Sequence, residues 1–498
     1  VSGSVWLPPG SRPDALPGIP RQRRRTPSWA QPDPVDELTE RLDDFIAAAV
    51  HPDEIAALLE SDGLSDDQIR ERYGVKNSFA LAETLYERVE RRYPEPAGPP
   101  PDPWRIGLLG CLLRGVVFAL PGLAYVLGAP LFAGPGDLGL PAGTVPLLAG
   151  ALCGWTWNQG LAHRAYAWLG LGDRTAARRA LLLGAPAGAL LGSLVALAFA
   201  GSAAPAVVAF AAGQSCYLAA ATVLLVMGRE RLLLTALAPM ATAAVLSLVQ
   251  PLSEAARLAA LLGSLAAVAA LAVREVAPAL KGEGGWSARL IALLPFGGPG
   301  TTAAPRLTGS LPYALFGQAT GVLVLYAALG DVLAGEQHSA IAAPAAVALT
   351  LSMGPAEWLL HRFRSDSLAG LRSSGTARDF RRTTVLTVLQ CLAAYLAALL
   401  ALSLAASALW PHSPVPGGAR LAGLLLLGVV LWTGLLLQSF GAVTAATAVC
   451  CAAALAQTLL LVTHTGDPHT AGLIVYGAAA VVQAGLVCAL LGRATAHR

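Results

Sequence analysis

The chain has 498 residues, of which 55% are hydrophobic and only 13% charged, with a mean hydropathy of +0.58. Soluble globular proteins carry about 25% charged residues, so this composition excludes a water-soluble globular protein and requires most of the chain to be dissolved in lipid. The charge is divided unevenly: residues 1–104 hold 12 Lys and Arg against 19 Asp and Glu, a net of −7, which leaves a net of +10 for the remainder.

Residues 1–34 are rich in Pro, Gly and Arg, include the basic run Arg21, Arg23, Arg24 and Arg25, and lack apolar periodicity, which predicts disorder. They show no signal-peptide pattern, and the first long apolar run, near Ile106, is expected to stay in the membrane. From 35 to 93 apolar residues return at helical spacing (Leu38, Leu42, Phe45, Ile46; Ile55, Leu58, Leu59; Phe79, Leu81, Leu85, Val89), predicting a soluble acidic module of three or four short helices. Within it, Ser65 to Arg70 ahead of Tyr73-Gly74-Val75-Lys76-Asn77-Ser78 reads as a capped helix, a Gly turn and a second helix, as in a helix-turn-helix. With 17 acidic and 7 basic side chains between residues 33 and 96, such a surface repels phosphates, so nucleic acid is not an expected partner and a regulatory or docking module is. A Pro-dense linker, 94–104, ends at the interfacial pair Trp104-Arg105.

Twelve apolar runs follow, at about 106–128, 142–166, 178–200, 204–227, 231–250, 256–273, 308–330, 339–360, 383–407, 420–440, 442–463 and 471–491. Each is near the ~20 residues that cross ~30 Å of hydrocarbon. The predicted fold is therefore an all-α integral membrane protein. Lys and Arg are retained on the cytoplasmic side, and an N-terminus inside gathers Arg174, Arg178, Arg179, Arg229, Arg231, Arg274, Lys281, Arg289, Arg306, Arg362 to Arg382, Arg493 and Arg498 there. The opposite loops hold Asp137, Glu254, Asp331, Glu336, Pro411 to Pro416 and Asp467, with Arg257 and Arg420 as the exceptions. The expectation is a multi-pass protein of the cytoplasmic membrane with both termini inside.

Leu161-Ala162-His163-Arg164 and Leu359-Leu360-His361-Arg362 stand at equivalent ends of the second and eighth runs, and Thr175-Ala176-Ala177-Arg178-Arg179 has its counterpart in the segment from Thr376 to Arg382. The shared spacing predicts a duplication: a six-helix lobe over 105–273, an inter-lobe loop over 274–306 with an amphipathic stretch from Trp286 to Leu294, a second lobe over 307–492 and a tail over 493–498.

Two elements carry a resemblance. Gly134-Pro135-Gly136-Asp137-Leu138-Gly139-Leu140 resembles the LGPxxFGxY element of polysaccharide flippases, and Gly170-Leu171-Gly172-Asp173-Arg174-Thr175-Ala176-Ala177-Arg178-Arg179 is similar to the GxGDRxxARR loop of multidrug and toxin extruders. Both groups belong to the multidrug/oligosaccharidyl-lipid/polysaccharide (MOP) flippase superfamily. The resemblance implies two six-helix bundles facing each other across a central cavity over residues 105–492, and leaves the acidic module unaccounted for. The major facilitator superfamily is the alternative, but its Gly-x-x-x-Asp-Arg-x-Gly-Arg-Arg loop fits less well, because Gly170 to Asp173 is one residue short and no Gly precedes the Arg pair.

Ionisable side chains at membrane depth are candidate functional groups, because inserting one costs about 2.5–3.5 kcal/mol. Arg114 lies about two turns into the first run; the resemblance implies a role lining the cavity and facing the pyrophosphate of a lipid-linked precursor, and snorkelling to headgroups is the other reading. Glu357 and His361, four apart on the eighth run, share a face and can pair, while Asn158, Gln159 and His163 mark the second run, Gln159 standing at the repeat position of Glu357. With Gln318 they would ring one polar chamber, or else tie helix ends together by hydrogen bonds. The loop residues Gly170, Gly172, Asp173, Arg174, Arg178 and Arg179 complete the candidate set.

All seven cysteines fall in apolar runs without CxxC spacing and read as small buried hydrophobes, not as disulfides or metal ligands. No Asp or Glu stands mid-run in the first lobe, and no Walker loop, HExxH or nucleophile-elbow Ser occurs, so neither an enzyme nor a cofactor is expected. Two functions are open: a flippase-type transporter of a lipid-linked glycan or related amphiphile, and a non-transporting scaffold in envelope assembly or cell division whose head recruits a protein partner.

Overall fold

The computed structural model describes residues 33–90, 92, 104, 107–132, 140, 143–201, 203–280, 305–333, 343–409 and 418–493. The basic N-terminal segment, nearly all of the Pro-dense linker, the 134–140 element apart from Leu140, the 286–294 stretch, and Asp137, Glu336, Pro411 to Pro416 and Arg498 lie outside the described residues. The chain divides into two compact units, Val1–Pro101 and Asp102–Arg498.

The described residues of the first unit hold four helices, α1 (Pro34–Ala48), α2 (Pro52–Ser61), α3 (Asp66–Tyr73) and α4 (Ser78–Arg88). Each start is fixed by a side chain that accepts an otherwise orphaned backbone N–H: Asp33, His51, Ser65 and Asn77 in turn. Ser65 and Gln68 form a reciprocal capping box, and Gly74, at φ 68°, ends α3 in the left-handed region that a β-carbon disfavours. The turn before α4 is closed by Asp66, which accepts from the Ser78 N–H at 3.3 Å. The helices share one apolar core, in which Ile46, Ile55, Ile69, Leu81 and Leu85 have no exposed surface. Arg88 pairs with Asp36, and Arg92 with Asp43 at 2.7 Å, tying the two ends of the module together.

In the second unit, one run of helices comprises α5 (Leu108–Ala119), α6 (Leu123–Gly128), α7 (Thr144–Gly170), α8 (Arg174–Ala198), α9 (Pro205–Val226), α10 (Glu230–Val249) and α11 (Glu254–Val276). Short 3-10 turns join α5 to α6 and extend α6 to Phe132. A second run comprises α12 (Leu311–Leu333), α13 (Ala343–Leu351), α14 (Met353–Ser373), α15 (Ala377–Leu409), α16 (Gly418–Ser439), α17 (Val443–Val462) and α18 (Pro468–Leu491). No strand occurs among the described residues.

Among the described residues ten helical stretches are long and apolar enough to cross a membrane: Leu108–Phe132, Arg174–Ala198, Pro205–Val226, Glu230–Val249, Glu254–Leu280, Leu307–Leu329, Ala377–Leu409, Gly418–Ser439, Val443–Val462 and Thr470–Leu491. Large apolar side chains stand outward in rows, such as Leu190, Leu194 and Leu197 on α8 and Leu455, Leu459 and Val462 on α17, each at least half exposed. Rows of this kind are stable only against hydrocarbon, and the chain is a multi-pass membrane protein.

The sequence predicts twelve spans, and the two not among the ten are informative. Helix α7 has the length, but Trp155-Thr156-Trp157-Asn158-Gln159 lowers its hydropathy, and the eighth run is divided into α13 and α14 around Ser352. Pro355 supplies no N–H to the Leu351 carbonyl four residues back, which weakens the helix at that turn. Beyond it α14 carries Glu357, His361, Arg362, Arg364 and Asp366.

Each run has its own apolar core, one built from residues between Val117 and Val276, the other from residues between Phe316 and Leu491. The runs meet crosswise, α5 against α13 and α14, and α7 against α12. Glycines permit the approach: a β-carbon on Gly354 would stand 2.8 Å from the Cys111 carbonyl oxygen, and one on Gly317 would stand 2.6 Å from Gln159 Cγ. The cysteines correct one expectation. Only Cys111, Cys391 and Cys450 are buried, and Cys216 is exposed, because a thiol facing lipid costs little; all seven are free.

Candidate functional site

The side chains that link the two runs gather at the end of the bundle where α7 finishes and α8 begins. Helix α5 brings Arg114 there, α10 brings Glu230 at its first residue, and α14 brings Glu357, two residues past Pro355. Arg114 forms ion pairs with both carboxylates, through Nη2 to Glu230 Oε1 at 2.8 Å and through Nη1 to Glu357 Oε1. The three side chains are 24–35% exposed, and Arg114 Nε has no hydrogen-bond partner among the described residues. His361 stands one turn beyond Glu357, with Nε2 3.9 Å from Glu357 Oε1, and its ring stacks on Trp104 at 6.1 Å between centroids. The Arg364 guanidinium lies 4.2 Å from the Trp104 ring centroid and donates to the Ser439 carbonyl at the end of α16.

The other crossing, α7 against α12, is polar. His163 Nδ1 is 3.2 Å from Ser310 Oγ, and the imidazole stacks on Tyr313 at 3.7 Å. Thr156 Oγ1 donates to Gln318 Oε1, and the aliphatic part of Gln159 lies against Gly317. Arg164 donates to the Pro305 carbonyl at 3.4 Å. Asn158 is buried with its Oδ1 unpartnered among the described residues.

Of the sequence-predicted residues, Arg114, Glu357 and His361 thus form one cluster, and Gln159, His163 and Gln318 line the other crossing. Arg114 meets carboxylates in this conformation. His163 and His361, 198 residues apart, each stack on an aromatic ring contributed by the chain that leads into or opens the first helix of the opposite run. At the next turn the two crossings differ, Glu357 meeting Arg114 where its counterpart Gln159 meets Gly317.

The spacing of the 170–179 loop serves local structure. Gly170 ends α7, Gly172 adopts φ 80°, and Asp173 caps α8 by accepting from the Ala176 N–H at 2.8 Å. Arg174 and Thr175 are exposed. Arg178 reaches Glu275 at the end of α11, 2.8 Å away, and Arg229 binds the other oxygen of the same carboxylate at 2.8 Å, a clamp joining α8, α11 and the α9–α10 turn. Arg179 Nε has no partner among the described residues. Sequence reasoning missed Glu230 and Glu275, each of which follows an Arg at a helix end and so reads as an ordinary interfacial pair.

No family model matches this chain, and no curated protein matches it either. The arrangement of its side chains therefore carries the functional argument. Among the described residues no three His, Cys, Asp or Glu side chains stand together as a metal site would need.

Proposed function

We propose that this protein is a transporter of flippase type, with twelve spans in two six-helix lobes and both termini cytoplasmic, moving a lipid-linked glycan, polysaccharide precursor or related amphiphile by alternating access. The observation that supports this reading is the crosswise packing. The first helix of each run lies against the second helical stretch of the other, and the two crossings carry Arg114 with Glu357, and Thr156, His163 and Gln318. In a membrane such side chains are retained where a polar path or ligand needs them. The resemblance of the 170–179 loop to MOP-type extruders agrees with it. In this reading the Arg-rich end is cytoplasmic, the runs are closed upon each other there, and parting them frees Arg114 to meet an anionic headgroup through Nη1 and its unpartnered Nε.

The test is reconstitution of the full chain in liposomes with a labelled polyprenyl-pyrophosphate sugar on one leaflet. Transfer by the wild type, reduced at least tenfold in Arg114→Ala, is the expected result. Equal silence of both proteins across lipid-linked and free amphiphiles would end this reading. A scaffold role has one observation in its favour: the N-terminal module is separately packed and acidic, with Phe79 and Val50 exposed on its surface. Loss of partner co-purification on deleting residues 33–92, with transport intact, would assign recruitment to the module.

A further inference from the structure

Arg114 is held by two carboxylates that belong to different halves of the interface. Glu230 is on α10, in the same run as Arg114, and Glu357 is on α14, in the opposite run. If the runs part at this end, Arg114 leaves with Glu230 and remains paired, whereas Glu357 loses its cation. The groups facing Glu357 define what is left to it: Arg114 and Cys111 from α5, Glu230 from α10, the Tyr166 hydroxyl from α7, and His361 and Arg364 on its own helix. Of these, Glu230 repels it, Cys111 and Tyr166 are neutral, and Arg364 is engaged with the Ser439 carbonyl and Trp104. His361 is nearest, at 3.9 Å, and its Nδ1 has no hydrogen-bond partner among the described residues. In the closed arrangement the Arg114 cation favours the ionised form of Glu357, and protonation of the carboxylate removes that pairing.

We infer that Glu357 is a proton-binding site, and that uptake of one proton from water by its carboxylate unlatches α14 from Arg114 and lets the two runs separate at the Arg-rich end. The proton adds to a carboxylate oxygen, the ion pair becomes a neutral carboxyl beside an Arg still paired to Glu230, and no covalent bond breaks. Ionised Glu357 favours the closed arrangement, so closure is complete at high pH and lost as the pH falls. The other crossing, with Gln159 and Gly317 at the matching positions, carries no charge there and has no such dependence. The inference deepens the alternating-access reading and rests on it for its purpose, though the latch itself is measurable without transport.

The experiment is a distance measurement on the full chain in lipid nanodiscs between pH 5.5 and 8.5. Nitroxides are attached through ketone side chains introduced at Leu109 of α5 and Ala369 of α14, both exposed, which leaves the native thiols in place. For the wild type, acidification should build a longer-distance population, the opening constant rising about tenfold per pH unit over the titrating range, as for one proton. Glu357→Gln should show the long distance at every pH, and Glu230→Gln should keep the pH response. A wild-type distribution that does not change with pH, or a response that survives in Glu357→Gln, would overturn the inference. The wild-type titration needs no substitution, so it decides the matter even where Glu357→Gln does not fold. A pH-dependent distance in a protein that moves no labelled amphiphile would sink the transport reading and leave the proton latch standing. Transport without any pH-dependent distance change would do the reverse.

Discussion

Arg114 and Glu357 are 243 residues apart in the chain and form an ion pair that joins the first helix of one run to the broken helical stretch of the other. The pair is flanked by Glu230, so the three charges sum to −1 and are not interchangeable. Removing the shared cation leaves two carboxylates facing each other; removing either carboxylate leaves a pair.

Arg114→Ala is therefore expected to destabilise the protein more than Glu357→Ala or Glu230→Ala, by about 2–3 kcal/mol against about 1 kcal/mol for these partly exposed groups. The double variant Arg114→Ala/Glu357→Ala should recover part of the loss, because the surviving Glu230 no longer has a like charge beside it. Thermal unfolding of the four proteins in detergent, followed by size-exclusion fluorescence, reads the order directly. Additive losses in the double variant would contradict the pairing.

The Glu275 clamp makes a sharper case, because its carboxylate is only 9% exposed and receives both Arg178 and Arg229. Glu275→Ala leaves two guanidinium groups without their common anion, at a cost of about 3–5 kcal/mol by analogy with broken buried pairs. Glu275→Gln keeps an acceptor and should lose roughly half as much. The same unfolding measurement compares them, and equal stability of wild type and Glu275→Ala would show that the clamp is not formed.

Gly354→Ala tests the close crossing without touching a charge. Its β-carbon would meet the Cys111 carbonyl oxygen at 2.8 Å and Leu112 Cα at 3.1 Å, backbone atoms that yield only if α5 moves as a whole. A loss of about 1–3 kcal/mol is expected. Gly110→Ala, next to Cys111 on α5 but with nothing within 4 Å, should be neutral or slightly stabilising. A Gly354→Ala protein as stable as Gly110→Ala would mean that α5 and α14 do not approach in this way.

The N-terminal module should fold by itself. Residues 33–92, produced alone, are expected to give helical circular dichroism and a cooperative melt, since their core is completed by their own four helices. A module this small has about 3–5 kcal/mol of stability to lose, and Leu81→Ala, which empties a fully buried position, should cost about 2–5 kcal/mol and unfold most of it. A wild-type fragment without a cooperative melt would disprove the independence.

Much of this architecture is legible in the residues themselves. Apolar runs near 20 residues long specify membrane helices whatever they pack against, because unpaired backbone groups cannot be left in hydrocarbon. The caps at Asp33, Ser65, Asn77 and Asp173 were equally readable, since a cap is a contact between neighbours in sequence. The 198-residue offset between His163 and His361 is legible too, whereas their ring contacts with Tyr313 and Trp104 are not.

Sequence by itself determined a multi-pass helical body, a separate acidic module and a short set of intramembrane polar residues. Only the tertiary structure decided how those residues are spent. It set Arg114 between Glu230 and Glu357, anchored the 170–179 loop through Arg178, and made Glu275 a clamp between two arginines. The reason is physical: hydropathy and capping depend on neighbours along the chain, whereas the partner of a charge depends on which helices cross. That crossing is set by glycines such as Gly115, Gly317 and Gly354, whose role shows only once the facing backbone is in place.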